Sequence, residues 1–274
     1  MMCRVHGVSR AGFHAWKARV PSLRDRSDGA LLEQIERVHA QSRGTYGSPR
    51  VLARLRQQGV VVGRRRVARL MRLQGLHGRS ARGTRRSSSA QRAFFSSVPN
   101  RQRKLQIERP DQVWVGDVTY LRVKRQWRYL ATVMDRYSRR VLGWSLGDKR
   151  DAALTTQALA HATRKRDAKP GLVFHTDRGM EYAALDFKRE LARQGFTQSM
   201  NRPGKMNDNA HMESFFHTMK TEGLRDMSFD TDRALHRELR KYIGFYNQQR
   251  LHSSLDYQAP AAFEQQIAYR SGVN

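Results

Sequence analysis

Cysteine is almost missing from this chain of 274 residues, in which Cys3 is the only one. A single thiol excludes an internal disulfide and a zinc site built from cysteines. Long hydrophobic runs are missing too. No apolar stretch approaches the roughly 18–20 residues of a membrane-spanning helix, and no secretory signal opens the chain. We therefore expect a soluble, cytoplasmic protein with no membrane partner.

Acidic residues are scarce beside basic ones. Lys and Arg number 52 against 24 Asp and Glu, which gives a formal net charge of +28 and a pI near 11.4. Cationic side chains gain affinity for nucleic acids because they release counterions from the phosphates. An anionic membrane surface is the competing partner for such a charge. Because no segment suits a membrane, nucleic acid is the favoured partner.

The N-terminal part reads as a short segment, 1–27, followed by a compact helical unit over 28–78. Ser9 is the expected cap of a short helix in the first segment, and Ser48 caps a later helix that has Pro49 at its first position. After a tight turn, a second helix over 64–73 is rich in arginine. This arrangement predicts a helix-turn-helix-like DNA-binding domain. The alternative is a three-helix cap whose arginines merely solvate a face. The candidate DNA contacts are Arg64, Arg65, Arg66 and Arg69.

Residues 79–107 are rich in Arg and Ser and read as a flexible basic linker. From 108 to 265 the pattern changes to strands and helices, and 266–274 form a tail. Three strands come first, the second and third turning near Tyr137 and Ser138, and helices then alternate with strands. Asp151 is the expected cap of one helix, and Gly195 closes another. Three antiparallel strands followed by this alternation predict a mixed α/β sheet.

Three acids stand out in this region: Asp117 within the first strand, Asp177 at the end of a later strand, and Glu213 in a helix. Each has an ordinary explanation alone, as a bulge, a turn former, or a surface acid loosely paired with Lys220 beside an apolar stripe. A buried mid-strand carboxylate is costly unless it meets a cation, so Asp117 needs a partner. Three carboxylates held together would repel one another unless a divalent ion neutralised them. Oxygen ligands in that number suit Mg²⁺ or Mn²⁺.

The chain resembles a known family over nearly its whole length. The resemblance rests on "WVGDVTYL" (114–121), "HTDRGMEY" (175–182), "DNAHMESFFHTMKTE" (208–222) and "FYNQQRLHSSLDYQAPAAF" (245–263), with "GTYGSPRVLARLRQQG" upstream. These motifs together are similar to the second-frame product, OrfB, of two-frame bacterial insertion sequences in the third insertion-sequence family. The resemblance implies a DNA transposase with a retroviral-integrase-like core of ribonuclease-H-like α/β fold.

The resemblance also implies which residues act. Asp117, Asp177 and Glu213 would be the catalytic Asp–Asp–Glu triad and the ligands of two Mg²⁺ or Mn²⁺ ions, and Lys220 would contact DNA. The metals would activate water to cut an element end and then the freed 3′-hydroxyl for strand transfer. The implied partners are double-stranded DNA, the first-frame product OrfA or its frameshift fusion, and further copies of the chain on DNA. The implied location is the bacterial cytoplasm, with the nucleoid.

Several residues and functions compete with this interpretation. Met180 and Glu181 replace the Ser-Gln usual in the family, and Glu181 is not promoted to a metal ligand. Asp135 is expected to be a turn residue and Asp208 a helix cap. His175 fits a packed histidine and a modulator of the site equally well.

The competing functions are a ribonuclease H, and a non-catalytic regulator or remnant that only binds DNA. The spacing to Glu213 and the helical DNA-binding segment count against the first. The intact triad counts against the second.

Overall fold

The computed structural model describes residues 2–18, 20, 22–79 and 98–270. The chain divides into two compact units, which we call the helical unit (Met1–Arg79) and the sheet unit (Ser80–Asn274). Most of the predicted linker, 80–97, lies outside the described residues. Within the described residues, no helix is both long enough and apolar enough to span a bilayer.

The helical unit packs its apolar residues around Ile35, Val51, Leu55 and Val67, which are fully buried. Their spacing follows the helical period, so each helix turns one apolar face inward. In the part of this unit that the structure describes, the helices are α1 (Met2–Val5), α2 (Arg10–Lys17), α3 (Leu23–Gln41), α4 (Ser48–Gln57) and α5 (Arg64–Leu73).

The predicted helix caps of this unit are partly confirmed. Ser9 caps α2 by accepting from the Gly12 amide, as predicted. Ser48 was the wrong choice: the residue before α4 is the extended Gly47, and Ser48 already lies in the first helical turn. Helix α3 begins well before its apolar pattern does, because Ser22 and Asp25 form a capping box that satisfies its first amides.

The sheet unit is built on five strands in the order β3-β2-β1-β4-β5. The first three are antiparallel, and β4 and β5 run parallel to β1, so the predicted mixed sheet is confirmed. Asp135 ends β2 and accepts from the Ser138 amide at 2.8 Å, which confirms it as a turn residue. The strands are β1 (Val113–Val123), β2 (Gln126–Asp135), β3 (Val141–Gly147), β4 (Val173–Thr176) and β5 (Thr197–Met200).

Helices cover the sheet. Asp151 caps the first of them, α6, by accepting from the Leu154 amide. This helix lies so close to β3 that a Cβ on Gly143 would stand 2.2 Å from the Ala158 carbonyl oxygen. Gly195, at φ +68°, closes α8 as predicted. The helices are α6 (Ala152–Thr163), α7 (Met180–Ala183), α8 (Leu185–Arg193), α9 (Ala210–Thr218), a π-helical turn (Met219–Gly223), α10 (Asp232–Gln248) and α11 (Pro260–Arg270).

Two expected boundaries cut through ordered contacts. The end of the predicted linker is bonded to the sheet unit, since the buried Gln102 donates to the Asp208 carbonyl at 2.7 Å and the Arg101 amide donates to Ser199. The expected end of the core at 265 falls inside α11. Polar, basic composition pointed to a linker, whereas specific hydrogen bonds fix this stretch.

Candidate active site

Asp117 and Asp177 are brought together by strand register. In the parallel pair β1–β4, Gly116 lies opposite Thr176, and the pairing ends there. The next residue on each strand is an aspartate, so the two stand side by side where neighbouring strands are about 4.8 Å apart. Strand β1 continues for seven more residues beyond this point. The two acids therefore lie at the carboxyl end of β4, beside the part of β1 that β4 leaves unpaired.

Both aspartates lie in an environment that disfavours their charge. Burial raises the pKa of Asp117 well above its usual range, and repulsion from Asp177 raises it further. Burial also raises the pKa of Asp177, with repulsion from Glu181 as the next cause. Backbone amides oppose these shifts: Val118 donates to Asp117 at 2.7 Å, and Gly179 donates to Asp177 at 3.0 Å. Two carboxylates held this way gain strongly from a nearby cation.

One guanidinium faces these acids. Arg150, in the turn before α6, donates from Nε to the buried Glu181 at 2.8 Å, and its Nη2 lies 3.7 Å from Asp177 Oδ2. Attraction to Glu181, Asp177 and Asp117 raises the pKa of Arg150, although its partial burial acts in the opposite direction. Glu181, which the sequence left as a bystander, is therefore part of the cluster as the partner of Arg150.

Glu213 is positioned by α9 but is not grouped with the two aspartates. The apolar stripe of its helix is buried as the sequence predicts, and Glu213 at its edge is exposed. Helix α9 packs on β1, and Asn209 just before it donates to the Gly116 carbonyl at 3.2 Å. Among the described residues, no group of three or more His, Cys, Asp or Glu side chains is arranged to hold a metal ion. A third carboxylate beside two partly buried ones is electrostatically costly unless the three share a cation.

Lys220 lies in the π-helical turn that follows α9. Its ammonium stands 4.6 Å from the centre of the Tyr120 ring, three residues beyond Asp117 on β1. Burial lowers the pKa of Lys220, and the Asp117 carboxylate opposes that shift. The structure therefore places Lys220 near Asp117, rather than in the loose pair with Glu213 that helical spacing suggested.

Two other candidates have structural roles. Asp208 does not cap α9, because Asn209 occupies that position; its carboxylate accepts from Asn100 and from the backbone and guanidinium of Arg202. His175 is fully buried, with Ser199 and Asn201 each 2.8 Å from one ring nitrogen. Burial lowers the pKa of His175 to about 4, so the ring is neutral at pH 7 and both nitrogens are engaged.

The four arginines proposed for DNA contact fall into two pairs. Arg64 and Arg65 are exposed at the start of α5. Arg66 and Arg69 both bind the carboxylate of Asp28, with Arg66 Nε at 2.7 Å from Oδ1. That carboxylate fastens α5 to α3, so these two side chains are held within the helical unit.

Sequence reasoning missed Arg150 and the surface aromatics near Lys220. Arg150 follows two other charged residues in "GDKRD", where nothing distinguishes it from a solvated cation. Tyr120 lies within a strand whose apolar and polar residues alternate as usual, so the sequence did not distinguish an exposed tyrosine from a buried one. Glu181 requires a cationic partner because it is buried, but its burial is not visible in the sequence.

Family models match the N-terminal and C-terminal parts of the chain separately. Residues 107–206 match the model described as "Integrase core domain", and 194–260 match a second model of the same description. Residues 26–84 match an "HTH-like domain". The fold is also similar to the HTLV-2 integrase catalytic core, solved in complex with magnesium, with a TM-score of 0.44 and 19% identity over 57% of this chain and 97% of that one.

Curated relatives match over almost their full length. The chain is 36% identical to the IS600 31 kDa protein of Shigella sonnei, covering 96% of this chain and 97% of that protein. It is 34% identical to the transposase InsF of IS3A from Escherichia coli K12, covering 96% and 92%. The mixed sheet is thus the ribonuclease-H-like α/β fold of an integrase core, preceded by a helical HTH-like domain. The chain belongs to the IS3 family of insertion-sequence transposases and is of the OrfB type.

Proposed function

We propose that this transposase is a DDE-type enzyme, which cuts the ends of its insertion sequence and joins them to a new strand with the help of divalent metal. Family membership implies a polynucleotidyl transferase that binds DNA. The observation that carries the finer proposal is the partly buried pair Asp117–Asp177, which the β1–β4 register brings side by side.

The donor chemistry of this pair fits Mg²⁺ or Mn²⁺. Both ions prefer hard oxygen ligands, and two adjacent carboxylates whose pKa values are raised lack sufficient positive charge around them. We assign Asp117 and Asp177 as ligands of two ions. Glu213, which α9 carries, is the proposed third carboxylate ligand. When bound there, such ions supply Lewis acidity that activates water or a 3′-hydroxyl and stabilises the leaving oxygen.

The protein's own groups have separate roles in this proposal. The amides of Val118 and Gly179 orient the two aspartates. Arg150 neutralises Glu181 and so limits the repulsion that Glu181 exerts on Asp177. Lys220 binds a phosphate of the DNA that enters the site, since its ammonium contacts the Tyr120 ring and, among the described residues, forms no ion pair with a carboxylate.

DNA is also held by the helical unit. Arg64 and Arg65 are the proposed contacts, because they project from the start of α5. Arg66 and Arg69 contribute by fastening α5 through Asp28. We further propose that OrfA, or the frameshift fusion, and additional copies of the chain join the complex on DNA at the nucleoid. Size-exclusion chromatography of the chain with an element end, with and without OrfA, tests that part.

Asp177→Asn separates DNA binding from catalysis. The substitution keeps the basic surface, so the variant should bind element-end DNA at least as well as the parent, because phosphate contacts set most of that affinity. Cleavage and strand transfer should collapse, because an uncharged amide is a poor ligand for Mg²⁺. Titration of Mn²⁺ into the protein, followed by calorimetry, should show weakened ion binding. Asp186→Asn, at an exposed acid of α8, is the matched control and should change none of these.

The result that overturns the proposal concerns the parent. If the parent protein, given Mg²⁺ or Mn²⁺ and OrfA, cuts element ends no faster than Asp177→Asn, the chain is a DNA-binding regulator. If Glu213→Gln cuts normally while Asp177→Asn does not, the third ligand is wrongly assigned and the aspartate pair stands.

A further inference from the structure

Two large aromatic side chains project from the β1–β2 hairpin. Tyr120 is 56% exposed and Trp127 is 50% exposed, although both lie in regular strands. Their rings meet edge to face, with centroids 5.1 Å apart and planes at 86°. Rings left half in water on a well-packed sheet offer a surface for a planar ligand.

A cation stands over each ring. Lys220 Nζ is 4.6 Å from the Tyr120 centroid, and Arg122 Cζ is 5.5 Å from the Trp127 centroid. The four side chains form a continuous row, which we call the aromatic row: Lys220, Tyr120, Trp127 and Arg122. Within the described part of the chain, neither cation of the row has a carboxylate at ion-pair distance. Their charges are therefore available to an anionic ligand.

The aromatic row begins beside the candidate active site and leads away from it. Arg122 pairs directly with Trp127 across the hairpin, and Tyr120 lies two residues back on the same face of β1. Asp117 is three residues before Tyr120, about 10 Å along the strand at the usual rise, and the alternation of side chains turns it to the opposite face of β1. Lys220, at the near end of the row, lies in the π-helical turn that follows α9, the helix of Glu213. The row is therefore joined to the active site through Lys220, which contacts the Tyr120 ring.

We propose that the aromatic row stacks an unpaired base of the DNA strand that enters the active site, while Lys220 and Arg122 bind the adjoining phosphates. Aromatic rings interleaved with cations are the surface that single-stranded nucleic acids bind. A base within a duplex is stacked on both faces and shows only its edges, so a ring on the protein stacks with a base that has left the helix. The inference rests on the proposed function and specifies the form in which the DNA end is held.

The energetics favour exchange of the cations for a base. An exposed cation–π contact changes an equilibrium about two- to fivefold, whereas stacking of a base on an aromatic side chain is worth roughly 5- to 150-fold in affinity. Lys220 and Arg122 have flexible stems, so each ammonium or guanidinium can leave its ring for a phosphate without movement of the backbone.

The test compares two DNA ends bound by the full chain in EDTA, where no cleavage occurs. One end is fully paired, and in the other the terminal base pairs are replaced by mismatches. The parent should bind the mismatched end about fivefold or more tightly. The double variant Tyr120→Leu/Trp127→Leu should lose this preference, and Tyr120→Phe should keep it. Tyr269→Leu, at an exposed aromatic of α11, is the matched control and should also keep it.

A second measurement needs no variant. With 2-aminopurine at each terminal position in turn, at least one position should change its fluorescence when the parent binds, since stacking on an aromatic ring alters the emission of that base. The inference is overturned if no position responds. It is also overturned if the double variant weakens both ends by the same factor, because the row is then a general DNA or protein contact. Cleavage by the parent with Mg²⁺ is scored separately, so failure here leaves the transposase proposal intact.

Discussion

The buried ion pair between Glu222 and Arg250 fastens the π-helical turn that carries Lys220. Arg250 donates from Nε to Oε2 at 2.7 Å and from Nη2 to Oε1 at 2.8 Å. The two side chains are only 5% and 4% exposed, and the Tyr242 hydroxyl donates to the same carboxylate at 3.4 Å. The pair joins the turn after α9 to the segment that follows α10, so it should carry much of the stability of this corner.

Arg250→Met removes the positive partner and leaves the Glu222 carboxylate buried without it. Breaking a buried pair in this way costs about 3–5 kcal/mol. For a unit the size of the sheet unit, each kcal/mol corresponds to roughly 2–4 °C, so the Tm of this unit should fall by roughly 6–20 °C. The double variant Glu222→Leu/Arg250→Met should recover most of the loss, because apolar groups of similar volume can replace a buried pair at little cost.

Tryptophan fluorescence during thermal and urea unfolding measures both effects, since three of the four tryptophans lie in the sheet unit. Arg193→Met is the matched control, because Arg193 is exposed in its pair with Glu190 on α8 and its loss should change the unfolding free energy little. The reasoning is refuted if Arg250→Met costs no more than Arg193→Met, or if the double variant is as unstable as the single one.

Four further predictions concern other parts of the chain. Burial raises the pKa of Asp135 from 3.8 to about 6, so its contribution to stability is present below pH 3.8 and is lost as the pH rises through 6. The unfolding free energy of the parent minus that of Asp135→Asn should fall across this window by up to roughly 3 kcal/mol. Gly143→Ala should cost at least about 1–3 kcal/mol in urea unfolding, because its methyl group meets the backbone of α6. Replacing Arg64 and Arg65 by Ala should weaken DNA binding and flatten its salt dependence while the Tm stays unchanged. Asp28→Asn should instead lower the Tm of the helical unit, which differential scanning calorimetry detects.

Local patterns predicted most of the sheet unit correctly, because alternation and capping are properties of neighbouring residues. The five strands, the turn at Asp135 and the cap at Asp151 follow from runs of a few residues. Asp177 stood out because it follows a strand, and Asp117 because a carboxylate within a strand is costly. That the two lie side by side depends on the β1–β4 register, which local patterns do not show. The choice between two neighbouring cap residues was harder to predict. Asn209, not Asp208, occupies the N-cap position of α9, because Asp208 is already bound to Arg202 and Asn100.

Contacts between distant residues could not be predicted in this way. Arg150 and Glu181 are 31 positions apart, and Glu222 and Arg250 are 28 apart. Either arginine read alone is an ordinary basic residue in a chain with 52 of them. Sequence reasoning also treated four of the arginines of α5 as one DNA-binding surface. Asp28, on another helix, divides them into an exposed pair and a fastened pair.

The long pairing of β1 with β2 makes the direction of the Asp117 side chain sensitive to deletions in β1. Ten consecutive residue pairs, Trp114 to Val123, set the side from which Asp117 projects. Because side chains alternate along a strand, loss of one residue from the stretch before Asp117 would turn that carboxylate to the opposite face of the sheet. The helical unit shares none of this ladder. A short in-frame deletion in β1 would therefore remove the catalysis proposed above, while the helical unit and the DNA contact proposed for it would be retained.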